Sequence, residues 1–439
     1  MRRRSSKALL MTCVLTLIGL VGSACRSPGE EEGGGSEGPI TMALLSPTTG
    51  TVAAAGTDML NGWNLWWTLN GKEVAGRELE LIHEDSAGDP QIGLQKARKV
   101  VDQDGASVVA GPLLANVGYA IAEYLKTQPH IIGLNPVASA DDLSQRTPVD
   151  NFVRTGGWQS STPHHVAGDW AWQQGYKRVI TLCQDYAFGH EVCGGFTNTF
   201  TDHGGEIVKQ LWAPLGSSDY SSYLAQIDPR EADAVFMITV GADSGRVIKQ
   251  WQDFGLKDKI PLIAGETTLE QSLLRTMGDE ALGLQSFGHY AEGREEGATK
   301  EFVDAYLEEY DEIPSYYSCA TYTAGQWFTQ ALEEADGDMS DPAAFLETLK
   351  SIELDDGCFG PMSLDEYGGT IETVYLREVT KDDEGRLVNT VVEEFPEVGQ
   401  FFWYEPEAFL EQPVYSRDFL GEDWPTSCDE FTQDCPLEQ

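Results

Sequence analysis

From residue 40 onward, short apolar runs alternate with stretches whose apolar positions recur at helical spacing, the pattern of successive βα units around parallel sheets. Ile40 to Leu45 reads as a first strand, broken at Ser46-Pro47-Thr48-Thr49-Gly50, with a helix from about Gly56 to Leu69. Met59, Trp63, Trp66 and Trp67 fall on or near one face of that helix and read as core. Strands at Glu78–His83, Ser107–Ala110 and His130–Leu134 follow, with helices near Gln91–Gln103 and Ala115–Thr127 between them. Asn151 to Thr155 reads as a short strand leading out of this set.

The pattern then restarts, which is the main argument for a second lobe. A helix at Thr162–Gln174 precedes strands at Arg178–Cys183, Glu206–Leu211, Ala234–Val240, Pro261–Ala264 and Leu284–Tyr290. Helices near Gly189–Asp202, Tyr220–Ile227, Asp243–Phe254 and Glu270–Met277 separate them. Three more helices, Gly297–Tyr310, Tyr316–Ala335 and Pro342–Ser351, suit a return to the first lobe, and Gly368-Gly369 a last crossing to a strand at Thr373–Val379. The fold class expected is therefore α/β: two doubly wound lobes with parallel sheets, joined by three crossing segments. Residues 40–155 plus 291–368 form one lobe, 156–290 plus 369–400 the other, and 401–439 a C-terminal extension without an assignable role.

The 439 residues suit two cores better than one. Residues 1–24 read as a signal peptide: Arg2, Arg3, Arg4 and Lys7 precede an apolar run of about 14 residues, shorter than the roughly 20 that span a bilayer. Arg3 and Arg4 lack the flanks of a twin-arginine leader. Val21-Gly22-Ser23-Ala24-Cys25 resembles a bacterial lipobox with glycine in the usual leucine position, so Cys25 is the expected lipidation site. Ordinary secretion with cleavage nearby is the alternative. Residues 25–39, rich in Gly, Glu and Ser, then form a flexible linker between lipid anchor and folded domain. The chain is expected outside the cytoplasm, held to the cell membrane as a lipoprotein.

A net charge of −42 repels nucleic acid, and removal of the basic leader makes the mature chain more acidic still. The carboxylates are spread along the chain, with no metal-ligand spacing among acids, histidines or cysteines, so neither metal nor cofactor is expected. Cys13 leaves with the leader, and six cysteines remain beside Cys25. In an exported chain these favour disulfides; fifteen pairings are possible, and sequence proximity suggests Cys183 with Cys193, Cys319 with Cys358, and Cys428 with Cys435.

In open parallel sheets, ligands sit beyond the carboxyl ends of the strands, where helix N-termini offer free N–H groups, so both lobes should aim such loops at one cleft. Taken in order, LLSPTTG (Leu44–Gly50), DMLNGW (Asp58–Trp63), GRELELIHEDSAGDP (Gly76–Pro90), AGPLLANV (Ala110–Val117), NPVAS (Asn135–Ser139), VRTGG (Val153–Gly157), DYAFG (Asp185–Gly189) and FGPMSLDE (Phe359–Glu366) resemble the type I periplasmic solute-binding proteins, the group that contains leucine/isoleucine/valine-binding proteins. The likeness spans about residues 40 to 380. It implies two lobes that close on a small-molecule ligand and deliver it to the permease of an ABC transporter, with no catalysis.

The same likeness nominates site residues. Leu114, Ala115 and Asn116 match a loop that meets a ligand carboxylate, although the family's serines are absent; Val137 and Ser139 match a second loop. Glu266 matches the acid that pairs with a ligand ammonium, and its own chemistry equally allows a capping or surface role. Phe188 and Gly241 match aromatic contacts, one ring kept and one lost, while Trp158 and Tyr186 are candidates to compensate. A branched-chain or related amino acid is the expected ligand, with a short amide, urea or an aromatic acid as alternatives. A ligand sensor for a signalling receptor would share every one of these features. An enzyme would need Ser160 or Ser161 with His164 or His165, and no nucleophile elbow, phosphate loop or carboxylate pair supports one. The chain is expected to act as a monomer.

Overall fold

A computed structural model describes residues 38–416. Cys25, the leader and linker up to residue 37, and Cys428 and Cys435 lie outside the described residues, so the lipidation site and the third disulfide are not addressed by it.

The first lobe is built from β1 (Ile40–Ser46), α1 (Ala53–Asn70), β2 (Glu73–Val74), β3 (Arg77–Asp85), α2 (Pro90–Asp102), β4 (Val108–Ala110), α3 (Ala115–Leu125), β5 (Ile132–Asn135) and β6 (Phe152–Arg154). Its strands lie in the order β2-β3-β1-β4-β5-β6, parallel except for the β2–β3 hairpin. Local chemistry agrees with this arrangement at each boundary. Asp89 caps α2 by accepting from the Gln91 and Ile92 N–H groups at 2.8 and 3.0 Å, and Pro90 fills a position where no N–H is needed.

The second lobe continues with α4 (Thr162–Gln173), β7 (Arg178–Gln184), α5 (Ala187–Asp202), β8 (Glu206–Ala213), α6 (Ser221–Leu224), β9 (Ala234–Ile238), α7 (Ala242–Asp253), β10 (Leu262–Gly265), α8 (Gln271–Leu274) and β11 (Gln285–Gly288). The chain then supplies α9 (Gly297–Tyr310), α10 (Tyr316–Glu334) and α11 (Pro342–Lys350), followed by β12 (Ser363–Leu364), β13 (Thr370–Lys381), β14 (Leu387–Val398) and α12 (Pro406–Glu411). The second sheet runs β12-β13-β11-β10-β9-β7-β8, with β14 paired to β13. Helix α10 returns to pack along α1, and the fit is close: a Cβ on Gly62 would lie 1.9 Å from the Ser318 carbonyl oxygen. Trp63 and Trp67 are buried at this seam, edge to face at 5.5 Å, as the helical periodicity of α1 implied.

Two features go beyond the sequence reading. The strand expected at Thr373–Val379 is the middle of β13, the first arm of a hairpin whose two arms, β13 and β14, each run for 12 residues and pair antiparallel with β-bulges. The segment after Val398 folds back: Phe401, Trp403, Tyr404 and Phe409 form a cluster of their own. That cluster lies on α4 and α5, where Phe402 stacks on His165 at 6.0 Å and the Tyr404 hydroxyl donates to Asp202 at 2.6 Å. Cys183 pairs with Cys193 and Cys319 with Cys358, at Cα separations of 6.5 and 5.9 Å. Among the described residues no helix is long and apolar enough to cross a membrane.

Candidate functional site

The carboxyl ends of β4 and β5 carry the first lobe's contribution. Helix α3 begins directly after Leu114, which has extended backbone angles and offers no side-chain cap. The opening N–H groups of a helix have no intrahelical partner, so this uncapped end presents donors and a partial positive charge to whatever faces it. Val137 and Ser139 come from the loop after β5, pinned by Asn135, whose Nδ2 donates to the Ala138 carbonyl at 2.8 Å.

The second lobe answers from the ends of β7, β9 and β10. Gln184, the last residue of β7, holds two of these loops together: its Nε2 donates to Asp243 at 2.7 Å and its Oε1 accepts from the Val240 N–H at 3.0 Å. Thr267 donates to the Thr239 carbonyl at 2.7 Å, which fixes the β10 loop against the β9 loop. Gly241 has φ of 62° and ψ of −149°, open only to glycine, and a Cβ there would lie 2.8 Å from the Thr51 carbonyl oxygen of the first lobe. The two lobes thus meet closely at this point.

Between them lies a small cavity, walled by Leu113, Leu114 and Ala115 at the α3 terminus, Val137 and Ser139, then Tyr186, Phe188, Val240 and Thr267 opposite, with Tyr316 and Tyr317 at the start of α10. Of the nominated residues, Leu114, Ala115, Val137, Ser139, Tyr186 and Phe188 line it, whereas Asn116, Trp158, Gly241 and Glu266 do not. Asn116 uses its Oδ1 on the next N–H, that of Val117, at 3.1 Å. Trp158 is buried behind the wall, stacked on His289 at 5.0 Å and edge-on to Phe188 at 5.9 Å.

Glu266 departs furthest from its expected role. It is fully buried, with Oε1 accepting from Arg377 Nη1 at 2.9 Å and Oε2 facing His289 Nδ1 at 2.6 Å. Arg377 also donates to the Glu266 carbonyl at 2.7 Å and to Ser286 Oγ at 2.9 Å. Burial pushes the Glu266 carboxyl up, but the neighbouring His289 and Arg377 outweigh it and hold the group below its ordinary value. Both oxygens of the acid nominated for a ligand ammonium are therefore engaged by the protein itself.

The serine and histidine residues weighed for catalysis are also buried. Ser160 Oγ donates to the Ser139 carbonyl at 2.9 Å, and His164 Nδ1 lies 2.6 Å from the Ser160 carbonyl. Burial depresses His164 to about 4 and His165 to about 3. Sequence reasoning missed Leu113, Val240, Thr267, Tyr316 and Tyr317. The tyrosine pair opens the helix expected at Tyr316–Ala335, and only the return of α10 to the cleft reveals its position.

The family profile described as periplasmic binding protein matches residues 39–384. The chain belongs to that family. A Leu/Ile/Val-binding protein homolog from Brucella abortus is 28% identical over 369 residues, 82% of this chain and 92% of the relative. The Leu/Ile/Val-binding protein of Escherichia coli K12 is 24% identical over 336 residues, 75% of this chain and 87% of its own. Among solved structures, a solute-binding protein of an ABC transporter from Rhodopseudomonas palustris BisB5, in complex with 3,4-dihydroxybenzoic acid, is 30% identical. It superposes with a TM-score of 0.77 over 82% of this chain and 98% of that one. An ABC transporter substrate-binding protein from Sphaerobacter thermophilus is 32% identical with a TM-score of 0.75 over the same shares. This periplasmic binding protein is accordingly an extracytoplasmic, non-enzymatic component of an ABC transporter, which binds a small molecule between two α/β lobes and works with a membrane permease.

Proposed function

We propose that the ligand is a compact carboxylate with an apolar body, held at the cavity between the lobes and released to the permease. The observation that carries this reading is the uncapped start of α3, which offers N–H donors to a space otherwise walled by rings, aliphatic groups and the hydroxyl-bearing side chains of Ser139, Thr267, Tyr186, Tyr316 and Tyr317. Branched-chain or related amino acids are one class with this shape, in keeping with the names of the curated relatives. Aromatic acids are the second, and one specific feature favours them: the acid expected to meet an ammonium already carries Arg377 and His289. An α-amino acid would bring a cation to a wall without a free carboxylate, an expensive arrangement in a closed cleft.

A thermal-shift series with leucine, isoleucine, valine, benzoate, 4-hydroxybenzoate and 3,4-dihydroxybenzoate tests both classes together. A true ligand at about 100 times its dissociation constant adds about 2.7 kcal/mol of stability. Stabilisation by the aromatic acids alone is the expected outcome, stabilisation by the amino acids alone returns the first class, and no response to any of them ends the carboxylate reading. We further propose that Cys25 carries the lipid that holds the protein at the membrane. Metabolic labelling with a fatty acid should mark the wild type and not Cys25→Ser.

A further inference from the structure

A second cavity, of about 40 Å³, lies away from the ligand site beneath the C-terminal extension. Its walls come from three places: Asp141, Gln145 and Arg146 in the first lobe, Ser161 and Glu191 in the second, and Phe409 to Tyr415 of the extension as a roof. At roughly 10–15 Å³ for each water-sized occupant, it has room for a few small atoms.

The acids here are poorly served. Asp141 is 6% exposed and Glu191 4% exposed. Asp141 Oδ1 accepts from the Ser161 N–H at 3.1 Å, and Glu191 Oε1 from the Tyr119 hydroxyl at 3.1 Å. Glu191 Oε2 has no hydrogen-bond partner among the described residues, nor has Ser161 Oγ, although both are buried in the cavity wall. The nearby arginines are committed elsewhere. Arg146 Nη1 pairs with Asp142 at 2.9 Å, while its Nε and Nη2 donate to the Gln412 and Phe409 carbonyls, both at 3.0 Å. Arg154 donates to the carbonyls of Ala138, Ala140 and Trp158 and to Ser144 Oγ.

Asp142 is paired with Arg146, whereas neither Asp141 nor Glu191 makes an ion pair among the described residues, and both line the cavity. We infer that this cavity is a binding site for one small monovalent cation, of the class of Na⁺, held by the Asp141 and Glu191 carboxylates and the Ser161 hydroxyl. The donors are all oxygen, as a hard cation requires. Burial raises Asp141 to about 6 and lifts Glu191 well above its ordinary value, so the competitor for the site is a proton. Asp141 and Tyr119 belong to the first lobe, and Ser161 and Glu191 to the second. Occupancy therefore favours the arrangement in which the lobes meet, and the extension acquires a role as the roof that keeps water out.

The test compares melting temperatures of the full mature chain at pH 8 and equal ionic strength in NaCl and in tetramethylammonium chloride, whose cation is too large to enter. Sodium should raise the wild-type value by about 2 °C or more for each tenfold excess over its dissociation constant. The rise should vanish in Glu191→Gln and in Asp141→Asn, and persist in the exposed control Glu347→Gln. Line broadening of ²³Na resonances by the wild type, absent with Glu191→Gln, gives a direct second readout that survives any change in stability. Equal melting in both salts without broadening overturns the site, as does a sodium effect undiminished in both cavity variants. Neither result depends on which solute fills the main cleft.

Discussion

Two buried carboxylates of this chain, Glu266 and Glu191, occupy similar surroundings and have opposite fates. Glu266 is 0% exposed and Glu191 4% exposed, so water compensates neither. Glu266 is met on both oxygens, by Arg377 and His289, and stays below its ordinary titration range. Glu191 accepts from the Tyr119 hydroxyl and makes no ion pair among the described residues; burial first and the Asp141 carboxyl second push it well above its range, against the lowering pull of the Ser160 hydroxyl and the Asp141 N–H. The difference shows that burial alone does not decide what an acid does: the supply of donors does. A fully supplied carboxylate is architecture, whereas an undersupplied one is open to a proton or a cation.

The sharpest way to break this contrast is to remove the supply. Arg377→Met roughly keeps the volume and leaves Glu266 buried without its guanidinium partner, so unfolding free energy in urea should fall by about 3–5 kcal/mol. The matched pair of isosteres comes next. Glu266→Gln deprives the buried Arg377 guanidinium of the carboxylate it pairs with and should cost about 2–3 kcal/mol. Glu191→Gln replaces an acid already short of donors, and its cost near neutral pH in sodium-free buffer should stay below about 1 kcal/mol. Equal losses in the two variants would remove the distinction drawn here.

This contrast also marks the limit of what sequence alone could convey. The order of βα units, the restart after residue 155 and the return of three helices were legible because each element carries its own periodicity, as the Ala-to-Asn span of α1 and the Asp89-Pro90 start of α2 illustrate. The partner of Glu266 was not legible, because Arg377 lies 111 residues away with no pattern linking them. Strand β14 escaped for another reason. Its segment LVNTVVEEFPEV carries acids on an edge facing water and a proline near its end, features that blunt a strand edge and also blur its alternation. The docking of residues 401–416 was hidden because an aromatic tail without periodicity announces apolar surface and not where that surface goes.

A third buried carboxylate, Asp58, sharpens the comparison because its ion pair spans both lobes. Arg275, beyond α8 in the second lobe, makes a bidentate contact with Asp58 on α1, at 2.9 Å to each oxygen, and donates through Nε to the Ile313 carbonyl at 3.2 Å. Such a contact exists only when the lobes meet, so its free energy should appear in ligand binding more than in the stability of either core. Arg275→Ala should weaken ligand affinity about tenfold, equivalent to about 1.4 kcal/mol. Arg275→Lys should recover part of it, since a lysine cannot reproduce the two-pronged fork. Titration calorimetry with whichever carboxylate the thermal-shift series identifies decides the point, and unchanged affinity would mean that closure does not use this pair.

The smallest effect concerns a fourth acid, Asp202 on α5, intermediate between the two extremes. Its Oδ2 accepts from the Tyr404 hydroxyl at 2.6 Å and from Trp403 Nε1 at 3.3 Å, and these donors hold the C-terminal extension to the second lobe. Burial lifts Asp202 to about 7 against the opposing pull of Tyr404, Trp403 and His203. The folded state therefore keeps a proton that the unfolded chain gives up near its ordinary carboxylate value. Proton uptake on folding means that stability is fully present below about pH 4 and declines as pH rises through about 7. The extension's aromatic cluster is separate from the larger cores, so most of this slope should appear locally, as a fall in the exchange protection of amides 401–415, relative to the intrinsic rate at each pH, over that window. The global melting temperature should move by only a few degrees. Asp202→Asn, neutral throughout and still able to accept both hydrogen bonds, should flatten the local slope; a slope that survives the substitution would assign the pH response of the extension to another group.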